Sequence, residues 1–226
     1  MSTTRAAYEA TAESYADSVG TEISAAIEAP LDRALLEAFV ESLANATAGP
    51  VADLGCGPGR VAAFLAGRGI DALGVDVSPA MLAIARRVHP GIDFQEGRLT
   101  DLPLATGSLA GAVCWYSIIH TPPEHLGAVF EELDRVLNAK SQVLVAFQAG
   151  TGQAVHRSGI HAGSGPLISY RHSPDVIIRH LADAGLPAHA QALRGAELPH
   201  ESTAQAFVWA RRRGDDPAGH NLEEGR

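Results

Sequence analysis

Several features that mark whole classes of protein are scarce in this sequence. Its 226 residues include only two cysteines, which have neither metal-binding spacing nor the pattern of a disulfide-rich secreted domain. No apolar run approaches the roughly 18 residues that a membrane span requires. The first residues are polar and lack the apolar core of a signal peptide. We therefore expect no membrane span and a reducing, cytoplasmic location.

Basic residues are also few, since 17 lysines and arginines stand against 26 aspartates and glutamates, for a formal net charge of -9. Nucleic-acid binders usually carry a basic face, so this balance disfavours a nucleic-acid partner. The hydrophobic fraction of 46% is sufficient for a globular core. The length suits one large domain or one domain with attachments, and we expect a monomer or a homodimer.

The pattern of the sequence changes at Gly49-Pro50, a pair typical of a turn. Residues 1–48 have apolar positions at helical spacing and are expected to form an N-terminal helical cap. In residues 49–211, short apolar runs alternate with amphipathic stretches, which indicates an α/β domain with a parallel sheet and crossover helices. The polar residues 212–226 predict a disordered tail.

The apolar runs and the turn residues between them give the expected elements. The predicted strands are 51–54, 72–75, 92–95, 111–116 and 142–147, with 188–193 and 203–210 as a closing pair. The predicted helices are 60–68, 79–89, 125–137 and 174–184. Residues 150–169 are rich in glycine, serine and histidine and are expected to form a loop or lid.

The stretch VADLGCGPGR, residues 51–60, places three glycines at alternate positions after a short apolar strand. A glycine-rich turn between a strand and a helix brings backbone N–H groups to a ligand, and an ordinary turn needs only one glycine. The spacing is not the G-x-G-x-x-G of dinucleotide-binding loops, because Arg60 stands where the last glycine would fall. Asp53 suits a ligand that carries a positive charge, and Asp76, after the next strand, can bind both hydroxyls of a ribose.

At this point the sequence resembles the class I S-adenosylmethionine-dependent methyltransferases, and within them a small-molecule branch like the enzymes of ubiquinone and menaquinone biosynthesis. The resemblance covers about residues 8–211. The motifs that carry it are VADLGCGPGR, GVDVSPAML, EGRLTDLPL, WYSIIHTPPEH and VLVAF, in that order. It implies a doubly wound, mostly parallel sheet of seven strands, which is the Rossmann-like methyltransferase fold, with additional N-terminal helices.

The resemblance also implies a cofactor, S-adenosyl-L-methionine, with S-adenosyl-L-homocysteine as the product. It assigns to cofactor binding Tyr15, Asp53, Gly55, Gly57, Gly59, Asp76, Val77, Met81, Leu99, Thr100, Tyr116 and Ser117. Many relatives carry an acidic residue where this chain has Arg98, so a contact to the adenine amino group would fall to Leu99 or Thr100 instead.

His120 follows the end of a predicted strand, where open parallel sheets bind ligands, and could act as a general base or orient the acceptor. A histidine that only caps its loop is the alternative. His156 and Tyr170 are candidates for contact with a small-molecule acceptor. The spacing of the histidines does not indicate a metal site.

The leading hypothesis is methyl transfer to a small molecule by direct in-line displacement. The alternatives are a nicotinamide-dependent oxidoreductase on a similar sheet and a protein that binds the cofactor without catalysis. The sequence does not distinguish oxygen, nitrogen, carbon and sulfur acceptors.

Overall fold

The computed structural model describes residues 2–43, 48–157 and 167–212. Nine strands and six α-helices are described in these ranges. The strands are β1 Val51–Leu54, β2 Ala72–Asp76, β3 Asp93–Glu96, β4 Leu109–Trp115, β5 Leu137–Gln148, β6 Gln153–Arg157, β7 Leu167–Arg171, β8 Ala188–Arg194 and β9 Gln205–Arg211. The helices are α1 Ser2–Val19, α2 Pro30–Leu43, α3 Arg60–Ala66, α4 Pro79–Val88, α5 Leu126–Val136 and α6 Pro174–Asp183. Of the predicted tail, residues 213–226 lie outside the described residues.

Seven strands form one twisted sheet in the order β3-β2-β1-β4-β5-β9-β8. The first five are parallel to one another, and β9 runs antiparallel to both β5 and β8. The strand order reverses between β1 and β4, and such a switch point is where open α/β sheets bind ligands. The predicted fold class, a mostly parallel sheet of seven strands, is confirmed, and the predicted closing pair of strands runs antiparallel.

The sheet is covered on both faces, which explains why its central strands are apolar throughout. All seven residues of β4 are buried. One face packs against α5 and α6, for example through Phe130 and Ile177. The other packs against α2 and α3, for example through Phe39 and Leu65.

The two helices observed within residues 1–48 have different neighbours. Helix α2 shares a core with the sheet, because its Leu36 and Phe39 pack with Val51 and Val113. Helix α1 instead packs along α4. The N-terminal residues therefore do not form one separate cap, because α2 belongs to the core of the sheet whereas α1 packs on α4.

Residues 150–169 differ from the expected loop. β6 and β7 form an antiparallel hairpin in which His156 pairs with Ile168 and Ala154 pairs with Tyr170. The glycine and serine content of this stretch concealed two short strands, and residues 158–166 between them lie outside the described residues. Within the described ranges, no helix is long and apolar enough to cross a membrane.

Candidate cofactor and acceptor site

Two neighbouring cavities open at the carboxyl ends of the central strands. The first, which we call the glycine-loop cavity, encloses about 190 Å³ beside Gly55, Gly57 and Asp76. The second, the hairpin cavity, encloses about 220 Å³ and is bordered by Leu167 and Ser169 of β7. Their position matches the place where the glycine loop and Asp76 predict a ligand.

The glycine loop borders the first cavity through backbone. Gly57 has a φ of 51°, and a Cβ added there would point into open space, with Tyr15 Cε1 at 4.0 Å as its nearest neighbour. Gly59 has a φ of 87°, and a Cβ there would lie 2.9 Å from the ring of Phe94. Gly57 thus leaves room for a ligand, whereas Gly59 is required by the packing behind the loop and does not line the cavity.

Asp53 lies behind the loop. Its side chain is buried, and its Oδ2 accepts a hydrogen bond from the Ala62 N–H of α3 at 3.0 Å. Burial raises the pKa of this carboxyl to about 7, although the hydrogen bond from Ala62 opposes the shift. The resemblance implied that Asp53 lies beside the ligand, but Asp53 does not border the cavity. Its contact is instead with the first turn of α3, which follows the glycine loop.

Asp76 ends β2 and borders the glycine-loop cavity. Its Oδ2 accepts the Gly57 N–H at 2.9 Å, and its Oδ1 accepts the Ser78 N–H at 2.8 Å. Burial raises the pKa of this carboxyl, and its backbone hydrogen bonds act in the opposite direction. The two amides fix the carboxylate between the glycine loop and α4, which Ser78 caps by accepting from the Met81 N–H.

Tyr116 and Ser117 follow β4 and also border the glycine-loop cavity. Tyr116 has a φ of 57°, a left-handed conformation that is uncommon for a bulky residue. Such strain persists only where surrounding contacts enforce it and is frequent at functional sites. Here the Tyr116 N–H donates to the Ala146 carbonyl at 2.9 Å, which holds the turn in place.

The remaining wall of this cavity comes from α4 and the segment after β3. Val77, Met81 and Leu99 border it, as the resemblance implies for a cofactor site, but Thr100 does not. Arg98, which stands where relatives carry an acidic residue, also borders the cavity. Arg98 is exposed, so this end of the cavity carries a positive charge where those relatives carry a negative one.

A shared wall separates the two cavities. Its members border both, and they are Tyr8, Tyr15, Trp115, Tyr116, Ile119 and His120. The predicted Tyr15 and His120 are among them. Among the described residues, the buried Trp115 indole N–H has no acceptor, a cost that proteins tend to carry at functional sites.

His120 is held by both ring nitrogens. Its Nδ1 lies 2.9 Å from the Ile168 carbonyl oxygen of β7, and its Nε2 lies 2.8 Å from the Tyr8 hydroxyl of α1. The imidazole therefore links helix α1 to strand β7 beside the carboxyl ends of the central strands.

The hairpin cavity is not lined by the predicted acceptor residues His156 and Tyr170. Side chains alternate between the two faces of a strand, and Leu167 and Ser169 of β7 face the cavity. Tyr170 is therefore on the opposite face, stacked against His172. The exposed His156 pairs with Ile168, on that same outer face, so both predictions disagree with the structure.

Two ion-pair networks border the hairpin cavity through Glu28, Arg60 and Glu201. Arg60 Nη2 binds both oxygens of Glu28 at 2.7 and 2.8 Å, and the Glu28 side chain is 2% exposed. Arg194 binds Asp32 and Glu201 together. The hydrogen bonds from Arg194 and from backbone amides outweigh burial and lower the pKa of Glu201 to about 2, so it is an anion at neutral pH.

Sequence reasoning missed much of this second cavity. Tyr8 has no local signal beyond its place in a helical stretch, and Glu28 and Glu201 have none because their partners are distant in the chain. Arg60 was noted only as the residue that breaks a dinucleotide fingerprint. In the described part of the chain, no group of three or more histidine, cysteine, aspartate or glutamate residues could hold a metal ion.

Comparison with known proteins agrees with this geometry. The model of a methyltransferase domain family matches residues 51–140. The demethylmenaquinone methyltransferase of Beutenbergia cavernae is 32% identical over 96 residues, which cover 42% of this chain and 39% of the relative. The chain spans about two fifths or less of the length of the curated relatives it matches.

Solved structures show the same fold. A methyltransferase from Methanosarcina mazei superposes with a TM-score of 0.68 at 14% identity, covering 77% of this chain and 98% of that one. The geranyl diphosphate C-methyltransferase of Streptomyces coelicolor gives 0.63 at 19% identity, covering 80% and 76%. The family match therefore identifies a methyltransferase-domain signature in residues 51–140, the region that carries the glycine loop and Asp76, and the strand order agrees with the fold that the motifs predicted.

Proposed function

We propose that this protein transfers a methyl group from S-adenosyl-L-methionine to a small-molecule acceptor and releases S-adenosyl-L-homocysteine. The observation that carries the proposal is the pair of cavities with a shared wall. A donor in the glycine-loop cavity and an acceptor in the hairpin cavity would meet at that wall. Direct transfer requires such an arrangement, since the two reactants must be held in line.

The residues of the glycine-loop cavity fit the cofactor. Gly57 leaves open the space that any larger side chain would fill. The Asp76 carboxylate, fixed by two amides, is an acceptor suited to paired ribose hydroxyls. Val77, Met81 and Leu99 provide apolar contact for a flat ring. The loop is less suited to a nicotinamide cofactor, because Arg60 stands in place of the third glycine of the dinucleotide-binding motif and is paired with Glu28.

S-adenosylmethionine supplies the methyl group on a sulfonium, whose sulfur keeps the bonding electron pair when the carbon is transferred. The chain's own residues hold the acceptor, exclude water and receive any proton that the acceptor loses. Tyr15 and Tyr116 help to enclose the shared space. His120, at the shared wall, is the proposed proton-accepting group.

The charges around the hairpin cavity favour a particular class of acceptor. The two networks contain three carboxylates, Glu28, Asp32 and Glu201, and two guanidiniums, Arg60 and Arg194. Of these five, Glu28, Glu201 and Arg60 border the cavity, which places two acidic groups and one basic group on its wall. We propose that the acceptor is neutral or carries a positive group, because a polycarboxylate would meet an excess of like charge.

Calorimetric titration with S-adenosylhomocysteine and with NAD tests the cofactor assignment, and transfer of labelled methyl to neutral, amine and carboxylate acceptors tests the activity. Gly57→Val should abolish binding of S-adenosylhomocysteine, because the side chain would fill the ligand space. Gly69→Val is a matched control, since Gly69 also has positive φ, at 80°, but has no atom within 4 Å of an added Cβ and does not border the cavity. Binding retained by Gly57→Val would contradict the assignment, as would tight binding of NAD by the parent.

We further propose that the protein acts in the cytoplasm as a monomer or a homodimer and without nucleic acid. The two buried cysteines are free thiols, which supports a reducing compartment. Light scattering after size exclusion and imaging of a fluorescent fusion test these statements.

A further inference from the structure

The hydrogen bonds of His120 determine where its proton lies. The Ile168 carbonyl can only accept, so Nδ1, at 2.9 Å, must carry a proton. In the neutral imidazole Nε2 is then a bare acceptor, and the Tyr8 hydroxyl, at 2.8 Å, donates to it. The structure thus fixes a direction for the pair, from Tyr8 to His120 to Ile168.

The pair stands at the boundary of the two cavities. Tyr8 and His120 each border both, although they are 112 residues apart in the chain. Their rings also meet edge to face, with centroids 5.4 Å apart. Because Nε2 is directed at the phenol oxygen, a proton from an acceptor reaches the imidazole most directly through that oxygen.

We propose that Tyr8 is a second catalytic residue, which relays the acceptor's proton to His120; this inference rests on the proposed function. As the acceptor's lone pair forms the new bond to the methyl carbon, its proton passes to the Tyr8 oxygen. The proton of Tyr8 passes at the same time to His120 Nε2. Tyrosine ends neutral, and His120 ends as an imidazolium.

The groups around His120 favour the imidazolium. The Ile168 carbonyl holds the Nδ1–H throughout, and its hydrogen bond strengthens when the ring becomes positive. Glu28 and Glu201, two acidic residues that border the hairpin cavity, also favour a cation nearby. A free phenolate is never required, so the high ordinary pKa of tyrosine, about 10, is no obstacle.

The tautomer and the Tyr8 contact can be measured by nitrogen NMR on the full chain labelled at histidine and saturated with S-adenosylhomocysteine. His120→Asn identifies the His120 signals. In the parent we expect a protonated Nδ1 and a bare, hydrogen-bonded Nε2. Tyr8→Phe should shift the Nε2 signal toward that of an unbonded nitrogen, while Tyr15→Phe, a matched change on the same helix, should leave it in place. A proton found on Nε2 in the parent, or a signal that Tyr8→Phe does not move, overturns the relay.

Single-turnover rates with an acceptor methylated in the screen provide the second measurement. Tyr8→Phe should slow transfer by about 10²-fold or more while affinity for S-adenosylhomocysteine stays within about twofold. Tyr8→Phe combined with His120→Asn should be no slower than the slower single variant, because both act in one step. Full turnover by Tyr8→Phe, or multiplied losses in the double variant, would refute the relay and leave the proposed function intact. A parent that binds no S-adenosylhomocysteine would instead refute the proposed function.

Discussion

Asp53 is a buried carboxyl on a central strand, and we expect Asp53→Asn to stabilise the protein at neutral and alkaline pH. The side chain is 1% exposed, and burial raises its pKa from 3.8 to about 7. The amide of asparagine has nearly the same shape and keeps an oxygen that can accept from the Ala62 N–H. It cannot ionise, so it avoids the cost of a buried charge.

The sign of the effect follows from proton binding. The folded pKa is raised, so the contribution of Asp53 to stability is fully present below pH 3.8 and is lost as the pH rises to about 7. At about 1.4 kcal/mol per pH unit, the full interval corresponds to about 4 kcal/mol. Parent and variant should therefore differ least in acid, and the gap should widen by about 3 kcal/mol between pH 5 and pH 8.

Urea unfolding, followed by circular dichroism at pH 5, 6, 7 and 8, measures this difference. Asp71→Asn is the control, because that aspartate is exposed and should give a difference that is small at every pH. A gap for Asp53→Asn that is equal at pH 5 and pH 8 would show that the folded carboxyl titrates normally. A variant less stable than the parent at pH 8 would show that the Ala62 contact outweighs the cost of burial.

Two further changes test the cavities. Asp76→Ala should weaken binding of S-adenosylhomocysteine at least tenfold, since charge-assisted hydrogen bonds contribute about 1.5–3 kcal/mol each, whereas the exposed Asp71→Ala should not change it in the same titration. Glu28→Ala should lower the free energy of unfolding by about 3–5 kcal/mol, because it leaves Arg60 buried without its carboxylate; Glu37→Ala, which breaks an exposed pair, should cost about 1 kcal/mol or less in the same urea series. Equal losses for the two glutamates would contradict the argument from burial.

The sheet could be predicted because its signals are local. Each central strand is a short apolar run, and α4 begins at a recognisable pair, Ser78 before Pro79. The glycine loop and Asp76 lie at the ends of adjacent parallel strands, so their closeness follows from strand order alone.

The acceptor side could not be predicted in the same way. Tyr8 meets His120, and Arg194 meets Asp32, only through the packing of segments more than 100 residues apart. Whether Ser169 or Tyr170 borders the cavity depends on which face of strand β7 is directed toward it. A shift of one residue reverses that choice, and nothing in a glycine- and serine-rich stretch fixes it.

The shared wall also determines how the kinetics of this protein should be read. Six side chains border both cavities, so under the proposed function each of them is part of the surroundings of both donor and acceptor. Any effect of one bound ligand on the affinity of the other must, by linkage, be the same in both directions. A Michaelis constant measured for one substrate at a single concentration of the other would mix the two affinities. Only a full grid of both concentrations can tell a weakened donor site from a weakened acceptor site.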